Sequence, residues 1–522
     1  MNSRLFHWSL VSALAGFLFG FDTVVISGAE QKIQALWNLS GTMHGLAISS
    51  ALWGTVLGSV IGAWPTDRFG RKKTLIWIGL LYFVSAVWSG LAPDVWSLII
   101  ARFIGGLGVG ICTVASPLYI SEIAPPDRRG RLAGLFQFNI VFGILVAYLS
   151  NWLIGKTGEN AWRYMLGVEA IPALIYTIAC LGIPESPRWL ISRGHTEEGK
   201  QVLSRIAPDA PPAEIDALAA SIAAASIQKA GAAGFWSATL RRPVALAFLI
   251  AFFNQLSGIN IILYFAPRLL GLAGIQDALL ASVCIGIVNL IFTFVGLYLI
   301  DRLGRKTLLT IGSVGYIVSL GVCAWAFLTF AEFKTVSKSI DLAEAAERVV
   351  RIDRGEANLL PDDEAKARKD LTWAKAAYAA GVPGAALPER ATPAELQTLA
   401  KQNRDTTAGT LGGKSTLVLA CLLLFIAAHA IGQGAVIWVF ISEIFPNRFR
   451  APGQSFGSAT HWVFAALLTT LFPIAIARFE AGWHFAFFCG MMMLQLLWVL
   501  TKVPETKGVP LEDMQKKLGI EA

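Results

Sequence analysis

DRFGRKK at Asp67–Lys73 returns as DRLGRK at Asp301–Lys306, and this repeat decides the fold. From Asp67 to Asp301 is 234 positions. YISEIAP at Tyr119–Pro125 returns as FISEIFP at Phe440–Pro446, with Glu443 lying 321 positions after Glu122. PES at Pro184 returns as PET at Pro504. The chain is thus one pattern written twice, and the wider spacing of the later pairs marks an insertion in the second copy. Between the motifs the sequence is apolar. Its 522 residues are 55% hydrophobic and 15% charged, with a mean hydropathy of +0.58. A helix needs about 20 apolar residues to cross a ~30 Å hydrocarbon core. Blocks of that length begin near Trp8, Leu46, Thr74, Val95, Leu132, Met165, Val244, Leu279, Leu308, Leu417, Ser455 and Phe485. They predict an all-α membrane protein of twelve spans, six to each copy.

Charge sets the expected topology. Basic residues crowd alternate loops: Arg68, Arg71, Lys72 and Lys73; Arg128, Arg129 and Arg131; Arg302, Arg305 and Lys306; Arg448 and Arg450. This positive-inside pattern predicts that both termini are cytoplasmic and explains the net charge of +8 without nucleic acid. The first block, Trp8–Ile26, has no small-residue cleavage site and contains Asp22, so it reads as a retained span. The six cysteines all lie in apolar blocks without metal-ligand spacing and read as small buried side chains.

The expected organisation is an N-terminal six-helix bundle over 1–184 and a cytoplasmic helical linker over 185–242. The second bundle is split into 243–330 and 414–503 by an extracytoplasmic insertion over 331–413, and a cytoplasmic tail covers 504–522. Within the insertion, Ile340–Ile352 and Asp363–Ala380 look helical, broken by Pro361, Gly381, Pro383, Gly384 and Pro388. In the linker, Pro211–Ile227 reads as one or more short helices.

Ten motifs in order resemble the sugar porter family of the major facilitator superfamily, over nearly the whole chain outside the insertion. They are GFLFGFD (Gly16–Asp22), DRFGRKK, ARFIGGLGVG (Ala101–Gly110), PLYISEIAPPDRRG (Pro117–Gly130) and WRYM (Trp162–Met165). PESPRWL (Pro184–Leu190), NQLSGIN (Asn254–Asn260), DRLGRK, SEIFPNRFR (Ser442–Arg450) and PETKG (Pro504–Gly508) complete the set. The resemblance implies alternating access by two rocking bundles, with the solute held midway between them, and internal repeats point the same way.

Individual residues can be read beside that resemblance. Asp22 and Arg102 lie well inside the first and fourth blocks, where an isolated charge costs at least about 2.5–3.5 kcal/mol. Each is the other's natural partner, and a carboxylate held by arginine takes a proton once the pair weakens. Proton-coupled members of the family carry such a pair, whereas facilitative relatives commonly have Asn for the Asp. Glu169, inside the sixth block, is assigned to the same electrostatic set.

A sugar site needs amides and hydroxyls to match ring hydroxyls and an aromatic face to stack on. Gln137, Asn254, Gln255, Asn260 and Asn289 supply amides, with Trp438, His461 and Trp462 beside them, at positions resembling the family's sugar contacts. Gly258, among those polar residues, is expected to break its span so that the outer part, with Tyr264, bends as a gate. At the cytoplasmic ends a salt-bridge network is expected. In one half it would join Asp67, Arg68, Arg71, Glu122, Arg129, Glu185 and Arg188, and in the other Asp301, Arg302, Arg305, Glu443 and Arg450.

Four departures from the family pattern leave the identity of the sugar open. Asn254-Gln255 stands where two glutamines are usual, and Phe265 where a second Tyr is frequent. Gly434-Ala435 precedes Trp438 without the usual proline, and His461 replaces Gln or Asn. His461 is read as a ligand-facing hydrogen-bonding group rather than a proton carrier.

The expected function is import of a monosaccharide, hexose or pentose, with a proton, by a monomer in the plasma (inner) membrane that needs no cofactor or metal. A proton-independent facilitator is the nearest alternative, and a transporter-like sugar sensor is a more distant one. An integral-membrane enzyme fits poorly. The insertion has no His or Cys, no nucleophile motif and no glycine-rich phosphate loop.

Overall fold

A computed structural model describes residues 3–125, 129–227, 234–355, 361–382, 387–388, 390–446, 449–509 and 511–520. Among these residues there are helices and no strands, and twelve helices are long and apolar enough to span a bilayer. Spans 1–6 are Ser3–Leu36, Gly41–Ile61, Arg71–Leu91, Val95–Ile123, Gly134–Ile154 and Ala161–Leu181. Spans 7–12 are Ala238–Tyr264, Ala278–Leu303, Arg305–Thr329, Gly413–Ile444, Arg450–Ile476 and Ala481–Lys502. The two sets of six form two bundles.

Local chemistry starts and stops these helices. The Asp94 carboxylate accepts from the backbone N–H of Trp96 and Ser97 at 2.9 and 3.0 Å and opens span 4. Asp277 opens span 8 in the same way through Leu280. The outward faces are apolar: Ile171, Leu174, Ile175 and Ile178 on span 6, and Ile287, Ile291, Phe294 and Tyr298 on span 8, are all exposed. Such a stripe is stable only against lipid or another apolar surface. Inside, spans 2 and 4 touch backbone to backbone. A Cβ on Gly106 would sit 1.9 Å from the Ala51 carbonyl oxygen, and one on Gly54 2.1 Å from that of Phe103.

Among the described residues three spans are discontinuous, the first being span 6, which breaks at Val168 and Glu169 between Ala161–Gly167 and Ala170–Leu181. Span 7 breaks after Leu256, where Gly258 takes a left-handed φ of +86°, and helix resumes at Ile259–Tyr264 and again at Ala266–Leu272. A Cβ at Gly258 would lie 2.9 Å from the Phe488 ring. Span 10 breaks at Gly432.

The inserted segment contains three helices, Ala331–Asp353, Pro361–Gly381 and Pro393–Leu411. They share a small core of Leu342, Ala346, Val349, Ala367, Leu371, Tyr378, Leu396 and Ala400. The first follows span 9 after a one-residue break at Phe330, so the insertion is rooted in the second bundle. The third was not anticipated from sequence. It opens on a capping box in which Thr392 Oγ1 accepts from the Glu395 N–H while the Glu395 carboxylate accepts from the Thr392 N–H. The linker forms three short helices, Pro187–Ser192, Thr196–Ile206 and Pro212–Ile227.

The bundles meet toward the face that carries the insertion, here termed the insertion face. Ser49 and Thr470 hydroxyls are 2.7 Å apart, and Trp53 Nε1 donates to Thr470 at 3.2 Å. Tyr148 donates to the Leu263 carbonyl at 2.8 Å, and Trp152 Nε1 to Asp277 at 3.2 Å. A Cβ on Gly45 would fall 2.0 Å from the Thr470 carbonyl oxygen, so the two backbones are in contact there. The insertion face is closed.

Candidate functional site

Three ionisable side chains meet inside the first bundle. Asp22 on span 1, Arg102 on span 4 and Glu169 on span 6 are 1%, 2% and 1% exposed. Arg102 Nη1 donates to the Asp22 carboxylate, and its Nη2 to the Asp22 carbonyl oxygen at 2.9 Å. Glu169 lies against Asp22, and its Oε1 has no protein partner among the described residues. Tyr82 and Ser85 on span 3 bring two further unpartnered hydroxyls to the same region. Two carboxyls therefore share one guanidinium in a sealed environment. Burying a net charge is far more costly than burying a neutral set, so the arrangement leaves room for one proton. Tyr264, beyond the break in span 7, is fully buried and within electrostatic reach of Asp22 and Arg102. It brings the second bundle up to this cluster.

The amides separate into two kinds. Asn260 Nδ2 donates to Gln255 Oε1 at 2.8 Å, and Gln255 Nε2 donates to Asn254 Oδ1 at 3.1 Å. Gln255 Nε2 also meets the His461 ring, 3.0 Å from Nε2. These four residues form one chain that uses the break at Gly258 to bring spans 7 and 11 together. Trp438 and Trp462 flank the histidine, with ring centroids 5.2 and 4.7 Å away. Gln137 on span 5 and Asn289 on span 8 behave differently. Gln137 is half-buried and Asn289 buried, and neither has a hydrogen-bond partner among the described residues. Unlike Gln433 at the break in span 10, both of whose amide atoms are sealed without a partner, they keep contact with open space. They are free to bind something else.

At the opposite face, which carries the linker and the tail, the same clasp is built twice. Arg71 holds Glu122 through Nε and Nη2, each 2.8 Å, and Arg305 holds Glu443 at 3.1 and 2.8 Å. Asp67 and Asp301 pair with these arginines one turn earlier. Glu185 accepts from the backbone N–H of Arg71 at 2.8 Å, and Glu505 from that of Arg305 at 2.9 Å. Gly70 and Gly304, at φ +95° and +91°, let each carboxylate approach the turn. A Cβ would meet the Glu185 and Glu505 carboxylates at 2.2 and 2.6 Å.

The network is smaller than the sequence suggested. Arg68 is exposed on the short helix before Gly70, and the turn at that glycine separates it from Arg71. Arg302 is exposed and lies over the Tyr298 ring at 4.0 Å. Arg188 is exposed without an ion pair among the described residues. Arg450 does not reach Glu443, whose carboxylate is occupied by Arg305 and the Thr506 hydroxyl. The side chain of Arg129 lies outside the described residues. Sequence reading missed Glu505 and Thr506, although the PES/PET repeat that supplied Glu185 pointed to them. It also missed a buried cluster of Glu30, His44 and Arg268 on the insertion face, which no repeat marks.

Comparison with known proteins bears on the fold and the family. The family model described as "Sugar (and other) transporter" matches residues 8–342 and 397–518, the gap between the two falling within the insertion. The arabinose-proton symporter of Bacillus subtilis (strain 168) is 31% identical over 97% of this chain and 94% of its own. The D-xylose-proton symporter of Escherichia coli (strain K12) is 28% identical over 98% of this chain and 96% of its own. Among solved structures, the inward open conformation of the E. coli xylose transporter XylE superposes with a TM-score of 0.74. The two are 27% identical, with 98% of this chain and 99% of that one covered. The same protein bound to 6-bromo-6-deoxy-D-glucose gives 0.67, at 28% identity, with 99% of this chain and 100% of that one covered. The protein is a membrane transporter rather than an enzyme, and it belongs to the sugar porter family of the major facilitator superfamily.

Proposed function

We propose that this protein imports a monosaccharide, hexose or pentose, together with a proton, by alternating access across the plasma (inner) membrane. The observation that carries the proposal is the sealed Asp22–Arg102–Glu169 cluster, two carboxyls on one guanidinium, in a chain that leaves one amide free in each bundle, Gln137 in the first and Asn289 in the second. Asp22 is the proton acceptor. Gln137 and Asn289 reach the sugar directly, while the chain from Asn260 through Gln255 to His461 presents a pre-ordered edge, with Trp438 and Trp462 as the apolar wall. Protonation of Asp22 loosens its hold on Arg102, and Tyr264 passes that change to the hinged part of span 7. The symporters of arabinose and xylose among its relatives support this reading.

Both termini are then cytoplasmic and the insertion extracytoplasmic, as the basic loops require. The Arg71–Glu122 and Arg305–Glu443 clasps act on the cytoplasmic side. The test is uptake of labelled hexoses and pentoses into proteoliposomes with an imposed inward proton gradient. One or a few sugars should accumulate above equilibrium. Saturable sugar binding without uptake would point instead to a sensor.

A further inference from the structure

On the insertion face the two bundles are joined by charge. Glu30, fully buried in span 1, is held bidentately by Arg268, with Nε 3.0 Å from Oε1 and Nη2 3.0 Å from Oε2. Arg268 Nη2 also donates to Gln34 Oε1. His44, at the head of span 2 and itself buried, places Nε2 3.0 Å from Glu30 Oε2, without the alignment of a hydrogen bond. Arg268 belongs to Ala266–Leu272, the helical stretch beyond the breaks in span 7. The pair therefore ties the first bundle to the hinged segment of the second.

The insertion reaches the same place. Arg351, near the end of its first helix, donates through Nη1 to the Ala35 carbonyl oxygen and through Nη2 to that of Leu36 at 3.2 Å. These are the terminal carbonyls of span 1, at the negative end of the helix dipole. Asp341 and Glu344 of the insertion lie within electrostatic reach of Arg268. Because the insertion is rooted in the second bundle through span 9, Arg351 makes a second bridge between bundles just beyond Glu30. A cavity of about 1240 Å³ lies between the insertion and this junction, with His44, Arg268, Asp341 and Glu344 among its lining residues.

A buried ion pair between two bodies behaves differently from one within a body. Parted while the interface is closed, the wholly buried Glu30 carboxylate is strongly disfavoured, whereas both charges are readily solvated once the interface opens to water. We propose that Glu30 and Arg268 are the latch of the insertion-face gate, parting each time that face opens, and that Arg351 fastens the insertion to span 1 so that it moves with the gate. This goes beyond the transport reading above and depends neither on which solute is carried nor on whether a proton accompanies it.

The test is the distance distribution between spin labels at Glu159→Cys, in the loop between spans 5 and 6, and Gln276→Cys, in the loop between spans 7 and 8. The full chain, with its six native cysteines replaced, is placed in lipid nanodiscs. Glu30→Gln and Arg268→Met should each move the closed-to-open ratio toward open by roughly tenfold or more, the scale on which breaking a buried pair acts. Glu30→Gln/Arg268→Met leaves no lone charge behind, so it folds even where a single variant does not. It should also be open, but no more open than either single variant, because coupled residues are not additive. Arg351→Ala should shift the ratio in the same direction by less. An unchanged distribution in the double variant, or strictly additive shifts, would overturn the latch.

Discussion

Replacing Asn289 by alanine removes an amide that no other described side chain uses, and the consequences can be worked out from that fact. Its amide gives up no protein hydrogen bond, so the folded state should lose less than about 1 kcal/mol. If the amide faces the sugar, binding should lose a polar contact of about 1–3 kcal/mol, a drop in affinity of roughly 5- to 150-fold. Gln255→Leu is the counterpart. It strands Asn260 Nδ2, Asn254 Oδ1 and the His461 ring, each of which now meets Gln255 within 3.2 Å. At about 1 kcal/mol per lost bond, the fold should lose about 2–4 kcal/mol in addition to any loss of affinity. The assay is paired: thermal unfolding in detergent for stability, and quenching of Trp438 and Trp462 fluorescence by sugar for affinity. The reasoning fails if Asn289→Ala is as destabilised as Gln255→Leu yet binds sugar normally. The amides would then be ties between helices.

Further predictions concern the clasps at the face that carries the linker and the tail, with Gly490 in span 12 as a control. Gly304→Ala places a side chain at φ +91° and sets its Cβ 2.6 Å from the Glu505 carboxylate, so it should cost about 1–3 kcal/mol or more. Gly490→Ala, with nothing within 4 Å of the added methyl, should leave thermal stability unchanged or raised. Glu505 lies beyond the last span and sits below the ordinary carboxylate range. Burial opposes its ionisation, but the N–H groups of Lys507, Arg305, Lys306 and Thr506 outweigh that. Its contribution is therefore present above the unfolded carboxylate range and is lost as pH falls through the lowered value. Glu185 has the opposite sign, because burial outweighs its N–H donors and pushes it up. Its contribution favours the fold at low pH and fades as pH rises through the carboxylate range. Unfolding temperatures between about pH 3 and pH 6 should show Glu505→Gln, but not Glu185→Gln, removing an acid-side loss of stability. Equal effects of the two substitutions would contradict this.

The repeats made the fold legible because two copies of one pattern must build two like bodies, and Arg71 and Arg305 do the same work in each, holding Glu122 and Glu443. The charge cluster could be read because a span tolerates Asp22 and Arg102 only when each has a partner. What the sequence did not carry was geometry set by backbone turns. Gly70 and Gly304 direct the helix ends so that Arg68 and Arg302 face outward, which leaves Glu122 and Glu443 to a single arginine each. The division of the amides was equally hidden, since Asn260 and Asn289 are the same residue in similar apolar blocks. Only the break at Gly258 turns one of them onto Gln255. Arg268 lies 238 residues from Glu30 and nearly as far from His44, and all three are near span ends, where a charge raises no alarm. The third insertion helix did have a signal, the Thr392-to-Glu395 capping box, and it was overlooked in a polar stretch.

The most direct test of proton-coupled sugar import is accumulation in proteoliposomes at a defined membrane potential, comparing wild type with Asp22→Asn. One charge moved per sugar is worth about 2.3 kcal/mol per 100 mV, which sets a limit of roughly 50-fold accumulation for one proton. Wild type should approach that limit and collapse to equilibrium when the gradient is removed. Asp22→Asn should exchange sugar across the membrane without ever exceeding equilibrium. Gradient-independent equilibration by both proteins would make this a facilitator and reduce the Asp22–Arg102 pair to a structural tie.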